Sequence, residues 1–336
     1  MKALRLAAMV LLAWALAAVP AAAAPVKLRI AYVTLPDHMI PLVERLAELH
    51  PEMFAHRGKS YTVELFRFQG STPQITALAA KELDIASFGP STLVFAIHNA
   101  KLDARIIADV LQSGVTNPGL YYAVRKNGPI TRVEDMKGRR AATNAIGGIT
   151  DMLMRIAFHQ HGIGEKDFVV LEASFPSMLA MIEGDKVDLA PVPPPFQHAF
   201  EETGRYRPLL SIQDIEGVEQ VAAWAVRNDF LEDNRAALVD FLEDYLRGLR
   251  WFLAPVNRDA VLDIASFTTK QSRDALAYFL TPRDSYRSPD LAPNLAAMQK
   301  EIDLAADAKL MPARIEVEKY LDLSLQREAK ARIDGK

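Results

Sequence analysis

Apolar and polar positions alternate in short blocks over the first two thirds of the chain. Val63–Phe68 reads as a strand, Ile75–Lys81 has apolar residues at helical spacing, and Asp84–Ser87 is a second short strand. Blocks of this kind follow one another to about Ile212, after which the pattern becomes mainly helical. Because strands that alternate with helices are typical of βαβ units, the pattern predicts an α/β fold with helical closing segments.

One block of the first half has a counterpart in the second. Ala77–Ala86 and Met178–Ala190 both run through a helix, an acidic turn, an aspartate and an apolar strand. The alternative explanation is that any two βαβ units look alike. We interpret the two stretches as the same module in two halves of the protein. Since no low-complexity linker separates the halves, we expect two lobes joined by crossing strands rather than by a flexible tether.

The first 23 residues have the pattern of a secretory signal peptide. Lys2 and Arg5 give a positive start, Leu6–Val19 is uncharged and apolar, and Pro20–Ala24 supplies small residues that signal peptidase accepts. A transmembrane anchor is the alternative, but the apolar run is shorter than the roughly 20 residues that a span needs. We therefore expect export and a soluble mature protein in the periplasm.

Composition excludes several kinds of site. The chain of 336 residues has no cysteine, which rules out a disulfide framework, a thiolate metal site and a cysteine nucleophile. The formal charge is −3, or about −5 without Lys2 and Arg5, and acidic and basic residues are well mixed, so nothing favours nucleic-acid binding. The Gly-x-Ser-x-Gly, phosphate-loop and His-Glu-x-x-His motifs are absent, and His159 and His161 would point in different directions on a helix. We expect no metal, no cofactor and no enzymatic activity.

Four short motifs occur in an order that is more specific than any one of them. They are Ala77–Asp84 with the following Gly89-Pro90, then Tyr121–Lys126, Ile130–Ala142 and Met178–Ala190. With this order after a signal peptide, the chain resembles the periplasmic substrate-binding proteins of the nitrate/taurine/sulfonate and thiamine-pyrimidine-precursor family, the receptors of ATP-binding-cassette (ABC) importers. The resemblance covers roughly residues 27–253.

The resemblance implies a two-lobed periplasmic binding protein fold of type II, with the ligand between the lobes. Each lobe would hold a mostly parallel sheet flanked by helices, and two crossing segments would join the lobes. Residues 24–115 would form the first part of lobe one, residues 116–221 lobe two, and residues 222–336 the return to lobe one and the C-terminal helices. A monomer that docks on the permease and ATPase of an importer is also implied.

Candidate ligand-binding residues follow the predicted strands, because open α/β sheets bind ligands beyond the carboxyl ends of their strands. In lobe one they are Thr34, Pro36, His38, Gln69, Gly70, Ser71, Thr72, Phe88, Gly89, Ser91 and Thr92, and in lobe two Asn144, Gly147, Gly148, Thr150, Pro193 and Phe196. Helices that begin at these positions would direct free N–H groups and positive dipole ends at one space. Plain helix capping is the alternative for each serine or threonine taken singly.

The predicted function is capture of a small organic anion, a sulfonate or carboxylate with an aromatic or alkyl body, for an ABC importer. Two observations argue against an anion. Asp37 would repel one unless it is paired with His38 or turned away, and no obvious cleft arginine is available for bidentate capture. The alternatives are a binder of a neutral pyrimidine-type thiamine precursor and a ligand-sensing periplasmic receptor that is not coupled to transport.

Overall fold

The structure is a computed structural model that describes residues 24–114, 116–117 and 119–335. The predicted signal peptide lies outside the described residues and stays a prediction. No helix in the described part of the chain has the length and hydropathy needed to cross a membrane.

Apart from three strands that follow one another between Ala104 and Thr143, α-helices separate the strands along the described chain up to the long helix that begins at Asn228. In chain order the strands are β1 (Val26–Tyr32), β2 (Tyr61–Arg67), β3 (Ile85–Phe88), β4 (Ala104–Ser113), β5 (Tyr121–Arg125), β6 (Arg140–Thr143), β7 (Val169–Glu172), β8 (Ala190–Val192), β9 (Tyr206–Ser211) and β10 (Glu219–Arg227). The α-helices are α1 (Ile40–Leu49), α2 (Thr72–Ala79), α3 (Pro90–His98), α4 (Ile149–Gln160), α5 (Met178–Glu183), α6 (Pro194–Thr203), α7 (Ile212–Ile215), α8 (Asn228–Leu253), α9 (Arg258–Thr269), α10 (Leu295–Asp307) and α11 (Ser324–Ile333).

Five strands form the sheet of the first lobe, in the order β2-β1-β3-β10-β4. β1 pairs in parallel with β2 and β3, whereas β10 runs antiparallel to β3 and β4. Trp224 of β10 packs against Tyr245 of α8 with a ring distance of 4.5 Å, and the adjacent Ala223 and Ala225 lie in a separate core cluster with Phe88. β10 is therefore covered on both faces, and it ties the second half of the chain to the first.

The second lobe has a three-stranded sheet, β8-β5-β9, and a parallel pair, β6-β7. β5 runs antiparallel to both of its neighbours, and a parallel bridge between Ala141 and Leu189 links the pair to the start of β8. The prediction of mostly parallel sheets needs correction, because pairing is mixed in both lobes. Parallel pairing occurs where a helix connects two strands, whereas β5 and β10 each enter a lobe from the other one and run against their neighbours.

The aspartate of each predicted copy of the module forms the same kind of ion pair with an arginine of another strand in its lobe. Asp84, just before β3, accepts hydrogen bonds from the backbone N–H and the guanidinium of Arg29 in β1 at 2.7–3.0 Å. Asp188, just before β8, accepts the equivalent bonds from Arg140 in β6 at 3.0–3.4 Å. The contact supports the interpretation that the two halves are related.

Candidate functional site

A cavity opens between the two lobes, with an empty space of about 550 Å³ including its open mouth. Its apolar lining consists of Val33, Leu111, Leu120, Ile149, Phe175, Pro193, Val221 and Ala222. Its polar residues and glycines are Thr34, Asp37, His38, Gly70, Ser71, Ser87, Gly89, Asn144 and Thr150. Because apolar side chains form much of the wall and a few polar groups converge on it, the cavity suits a small ligand with a hydrocarbon body.

Eight residues predicted from strand ends line this cavity, five of them in the first lobe and three in the second. The eight are Thr34, His38, Gly70, Ser71, Gly89, Asn144, Thr150 and Pro193. The strand ends of both lobes therefore meet at one space, as the sequence predicts. The contact of each residue with a ligand stays a prediction.

The other nine predicted residues do not line the cavity: Pro36, Gln69, Thr72, Phe88, Ser91, Thr92, Gly147, Gly148 and Phe196. Phe88 lies within β3, all four residues of which are buried, and its side chain belongs to the core of the first lobe. Phe196 stacks on Phe175, with ring centroids 5.9 Å apart, and so supports the cavity wall from behind. The Thr92 hydroxyl lies 2.8 Å from that of Ser71 and holds this lining residue in place.

Sequence reasoning missed the apolar floor of the cavity. Leu111 lies within β4, and Val221 and Ala222 lie within β10, so none of them follows a strand end. The one available signal was the predicted return of the chain to lobe one at residue 222, which brings β10 beside the cleft.

Four helix N-termini open onto the cavity. α2, α3 and α6 begin directly after the lining residues Ser71, Gly89 and Pro193, and Ile149 is the first residue of α4. Each dipole places a partial positive charge at its helix N-terminus. The convergence agrees with the sequence-based expectation.

The number of N–H donors at these helix starts is smaller than predicted. Four first-turn positions are prolines, which have no N–H: Pro73, Pro90, Pro194 and Pro195. The backbone N–H of Ser91 is also occupied, because it donates to the Glu301 carboxylate at 3.1 Å. The helices therefore contribute the partial positive charge of their N-termini more than direct hydrogen bonds.

Asp37 is paired with an arginine that lies 250 residues further along the chain. The Arg287 guanidinium lies 3.7 Å from Asp37 Oδ1, donates to the Asp37 carbonyl oxygen at 3.2 Å, and donates to Asp284 Oδ2 at 2.7 Å. All three side chains are buried. Burial and the neighbouring Asp284 charge raise the pKa of Asp37, and the Arg287 charge partly opposes that rise. The expected alternative partner, His38, makes no described bond to this carboxylate.

His38 is a neutral member of the cavity wall. Its Nε2 lies 3.0 Å from Ser87 Oγ, and its Nδ1 lies 3.4 Å from Thr34 Oγ1. Burial and the Arg287 charge lower the pKa of His38 to about 3, so the imidazole carries no charge at neutral pH. His38, Ser87 and Thr34 therefore offer uncharged donors and acceptors to the cavity.

The lobes touch at the rim of the cavity. The Gln69 side-chain amide donates to the Asn144 carbonyl oxygen at 2.8 Å, and the Asn144 amide donates to the Gln69 carbonyl oxygen at 2.9 Å. Thr72 Oγ1 donates to the Ile146 carbonyl oxygen at 2.9 Å. Gln69 and Thr72 therefore connect the lobes instead of lining the cavity.

Three buried glutamates lie beside the cavity floor, where the two lobes join. Glu219 accepts a hydrogen bond from the Ser113 hydroxyl at 2.9 Å, Glu301 accepts the Ser91 N–H, and both carboxyl oxygens of Glu216 lack a hydrogen-bond partner. Burial raises the pKa of all three, and mutual repulsion adds to the shift for Glu216 and Glu301. These carboxyl groups are protonated to a large extent at neutral pH.

Glu219→Gln should stabilise the protein at alkaline pH. Burial raises the pKa of Glu219 from 4.5 to about 7, so the stability that this protonated carboxyl contributes is full below about pH 4.5 and is lost as the pH rises through 7. Glutamine keeps an acceptor for Ser113 and cannot ionise. We expect the variant to exceed wild type by on the order of 1–3 kcal/mol near pH 8 and to show no gain near pH 4.5 in urea unfolding. The control Glu318→Gln, at an exposed site, should have the stability of wild type at both pH values. An equal effect of Glu219→Gln at both pH values would contradict the conclusion that the Glu219 carboxyl is protonated in the folded protein.

Comparison with known proteins identifies the family. A profile of the NMT1-like family matches residues 21–266. The chain belongs to the NMT1-like family. The match spans β1 to β10 and ends within α9, so it includes every strand around the cavity but not Arg287 or Glu301. No curated protein matches the chain significantly.

Solved structures share the two-lobed fold. The alkanesulfonate-binding protein SsuA from Xanthomonas axonopodis pv. citri, bound to MOPS, is 18% identical, with a TM-score of 0.69 and coverage of 90% of this chain and 99% of that chain. The periplasmic aliphatic sulphonate binding protein SsuA from Escherichia coli is 18% identical, with a TM-score of 0.65 and coverage of 88% and 92%. The periplasmic nitrate-binding protein NrtA from Synechocystis PCC 6803 is 16% identical, with a TM-score of 0.69 and coverage of 92% and 89%. The predicted periplasmic binding protein fold is confirmed.

Proposed function

We propose that the mature protein is a periplasmic solute receptor that captures a small organic anion between two closing lobes. The anion is a sulfonate or carboxylate with an aromatic or alkyl body, and the receptor delivers it to the permease and ATPase of an ABC importer. The role is capture and delivery rather than catalysis, performed by a monomer after removal of residues 1–23. Residues 24–115 and 222–336 form lobe one, and residues 116–221 form lobe two.

The observation that carries this proposal is the cavity shared by both lobes, onto which four helix N-termini open. A positive potential inside an apolar wall favours a guest that has both a hydrocarbon body and a negative charge. The sulfonate-binding and nitrate-binding proteins that share the fold add support, since anions are named as the ligands of those proteins.

A neutral pyrimidine-type ligand is the second candidate. The neutral pair His38 and Ser87 offers hydrogen bonds that suit an uncharged heterocycle, and no lysine or arginine lines the described part of this cavity. Asp37 also lines this space, and Arg287, the cation that pairs with it, is not among the lining residues.

The two candidates predict different affinities for an acid and its neutral analogue. If the organic anion is the ligand, benzenesulfonate or a related arylsulfonate should bind the purified mature protein about tenfold or more tightly than the matched sulfonamide, because charge-assisted hydrogen bonds are the stronger ones. A thermal-shift screen selects the acid, and calorimetric titration of acid and amide gives the ratio. Equal affinities, or binding of an aminopyrimidine alone, would favour the neutral ligand instead.

A further inference from the structure

A second cavity continues the first one outwards to the solvent. The two share Val33, Thr34 and Phe175, and the outer one has an empty space of about 640 Å³ including open solvent. Arg67 and Gln69 border it from lobe one, and Ser174 borders it from lobe two. The outer cavity is therefore the mouth of the ligand site and lies between the lobes.

The mouth contains a cation that the inner cavity lacks. Arg67 is the last residue of β2, is exposed, and uses its Nε–H for a long hydrogen bond of 3.4 Å to the Val33 carbonyl oxygen. Within the described residues it forms no ion pair at 4.0 Å or less. Glu172, across the cleft, instead accepts hydrogen bonds from the Ile146 N–H at 3.0 Å and from the Gln69 amide at 3.4 Å. The other N–H groups of the guanidinium have no hydrogen-bond partner among the residues that the structure describes.

The inner cavity is a poorer place for a full negative charge. Its ionisable lining groups are Asp37 and the neutral His38, and prolines and Glu301 reduce the N–H donors of the helices around it. Its wall is largely apolar. An ionised head group placed there would lose its hydration without gaining a cation, whereas a hydrocarbon body would be stabilised by burial.

We propose that the mouth is the subsite for the anionic group of the ligand, bound by the Arg67 guanidinium with the Ser174 hydroxyl opposite it. This assignment rests on the proposed function and deepens it. The ligand class is an amphipathic organic acid, with an aryl or short alkyl body in the inner cavity and one terminal sulfonate or carboxylate at the mouth. The helix dipoles add partial positive charge, and Arg67 supplies the planar, fork-shaped donor that such an acid needs.

The test combines Arg67 variants with acid and amide probes. Phenylalkanesulfonates of increasing linker length, the corresponding carboxylates and the matched amides of both are titrated by calorimetry into wild type, Arg67→Gln and Arg67→Lys. We expect Arg67→Gln to weaken binding of the best sulfonate about tenfold or more, Arg67→Lys to recover part of the loss, and sulfonamide binding to change less than about twofold. The control Lys166→Gln removes one exposed cation outside both cavities and should leave every affinity unchanged.

The outcomes separate the subsite from the function. If wild type prefers the sulfonates but Arg67→Gln binds them as tightly, the subsite is wrong and the anion lies in the inner cavity. If Arg67→Gln weakens sulfonate and sulfonamide equally, the arginine acts by shape or neutral hydrogen bonding, which also overturns the assignment. If wild type binds no sulfonate, carboxylate or amide of the series, the proposed function itself fails.

Discussion

Replacing Arg287 by methionine should lower the free energy of unfolding by about 3–5 kcal/mol, because it leaves buried carboxylates without their cation. The guanidinium lies 2.7 Å from Asp284 Oδ2 and 3.7 Å from Asp37 Oδ1, and its side chain is only 1% exposed. It also donates to the backbone carbonyl oxygens of Asp37 and Ser285. Methionine fills part of the volume but satisfies none of these acceptors. Urea unfolding near pH 7 measures the loss.

Arg283→Met is the matched control, because it changes the same residue type only four positions away. Arg283 is 70% exposed and pairs with Glu201 at 3.2 Å, so its loss should cost less than about 1 kcal/mol. A second variant, Arg287→Met with Asp284→Asn, also removes one of the two buried carboxylates that have lost their cation. It should recover part of the free energy of unfolding. Equal effects of Arg287→Met and Arg283→Met would contradict the role assigned to the buried cation.

The ends of the predicted strands indicated the position of the cleft, because the polar residues and glycines there can be recognised from the local sequence pattern. Gly70 and Ser71 lie in the short loop between a strand and a helix, and Asn144 lies in such a loop in the other lobe, so a short window of sequence is enough to place them. Parallel strands then bring these positions to one edge of each sheet. The periodicity likewise indicated Asp84 and the second-half aspartates as a repeated element, which the contacts with Arg29 and Arg140 support.

What sequence reasoning could not locate depends on contacts between distant parts of the chain. The ion pair of Asp37 with Arg287 and the hydrogen bond of Ser91 to Glu301 each join residues more than 200 positions apart. No local sequence pattern indicates either contact. Phe88 was predicted to line the cleft because the sequence placed it just after a strand. The direction of its side chain depends on the register of that strand, and a shift of one residue turns a side chain to the other face of the sheet. Arg67 was overlooked because it is the last residue of a strand rather than part of the following loop.

The closeness of the lobes at Gly70 leads to the second large effect. A Cβ atom on Gly70 would lie 2.5 Å from Ala145 Cβ and 2.8 Å from Asn144 Nδ2, both in the other lobe. The alanine methyl is fixed to its backbone and cannot rotate away, so the lobes themselves must separate. The backbone of Gly70 does not have a positive φ, and alanine is therefore tolerated by the local conformation.

Gly70→Ala should accordingly hold the lobes apart and weaken ligand binding about tenfold or more, since overpacking of this kind costs about 1–3 kcal/mol in the closed arrangement. Small-angle scattering with a saturating arylsulfonate should give a larger radius of gyration than for wild type. Gly164→Ala, whose Cβ would meet only Asp167 Oδ2 at 3.7 Å, is the control and should change neither quantity. Adding Ala145→Gly to Gly70→Ala removes the Ala145 methyl group, with which the new Cβ would clash. This double variant should regain much of the affinity for the ligand. Wild-type affinity and full compaction in Gly70→Ala alone would show that the ligand is bound without the lobe contact at this position.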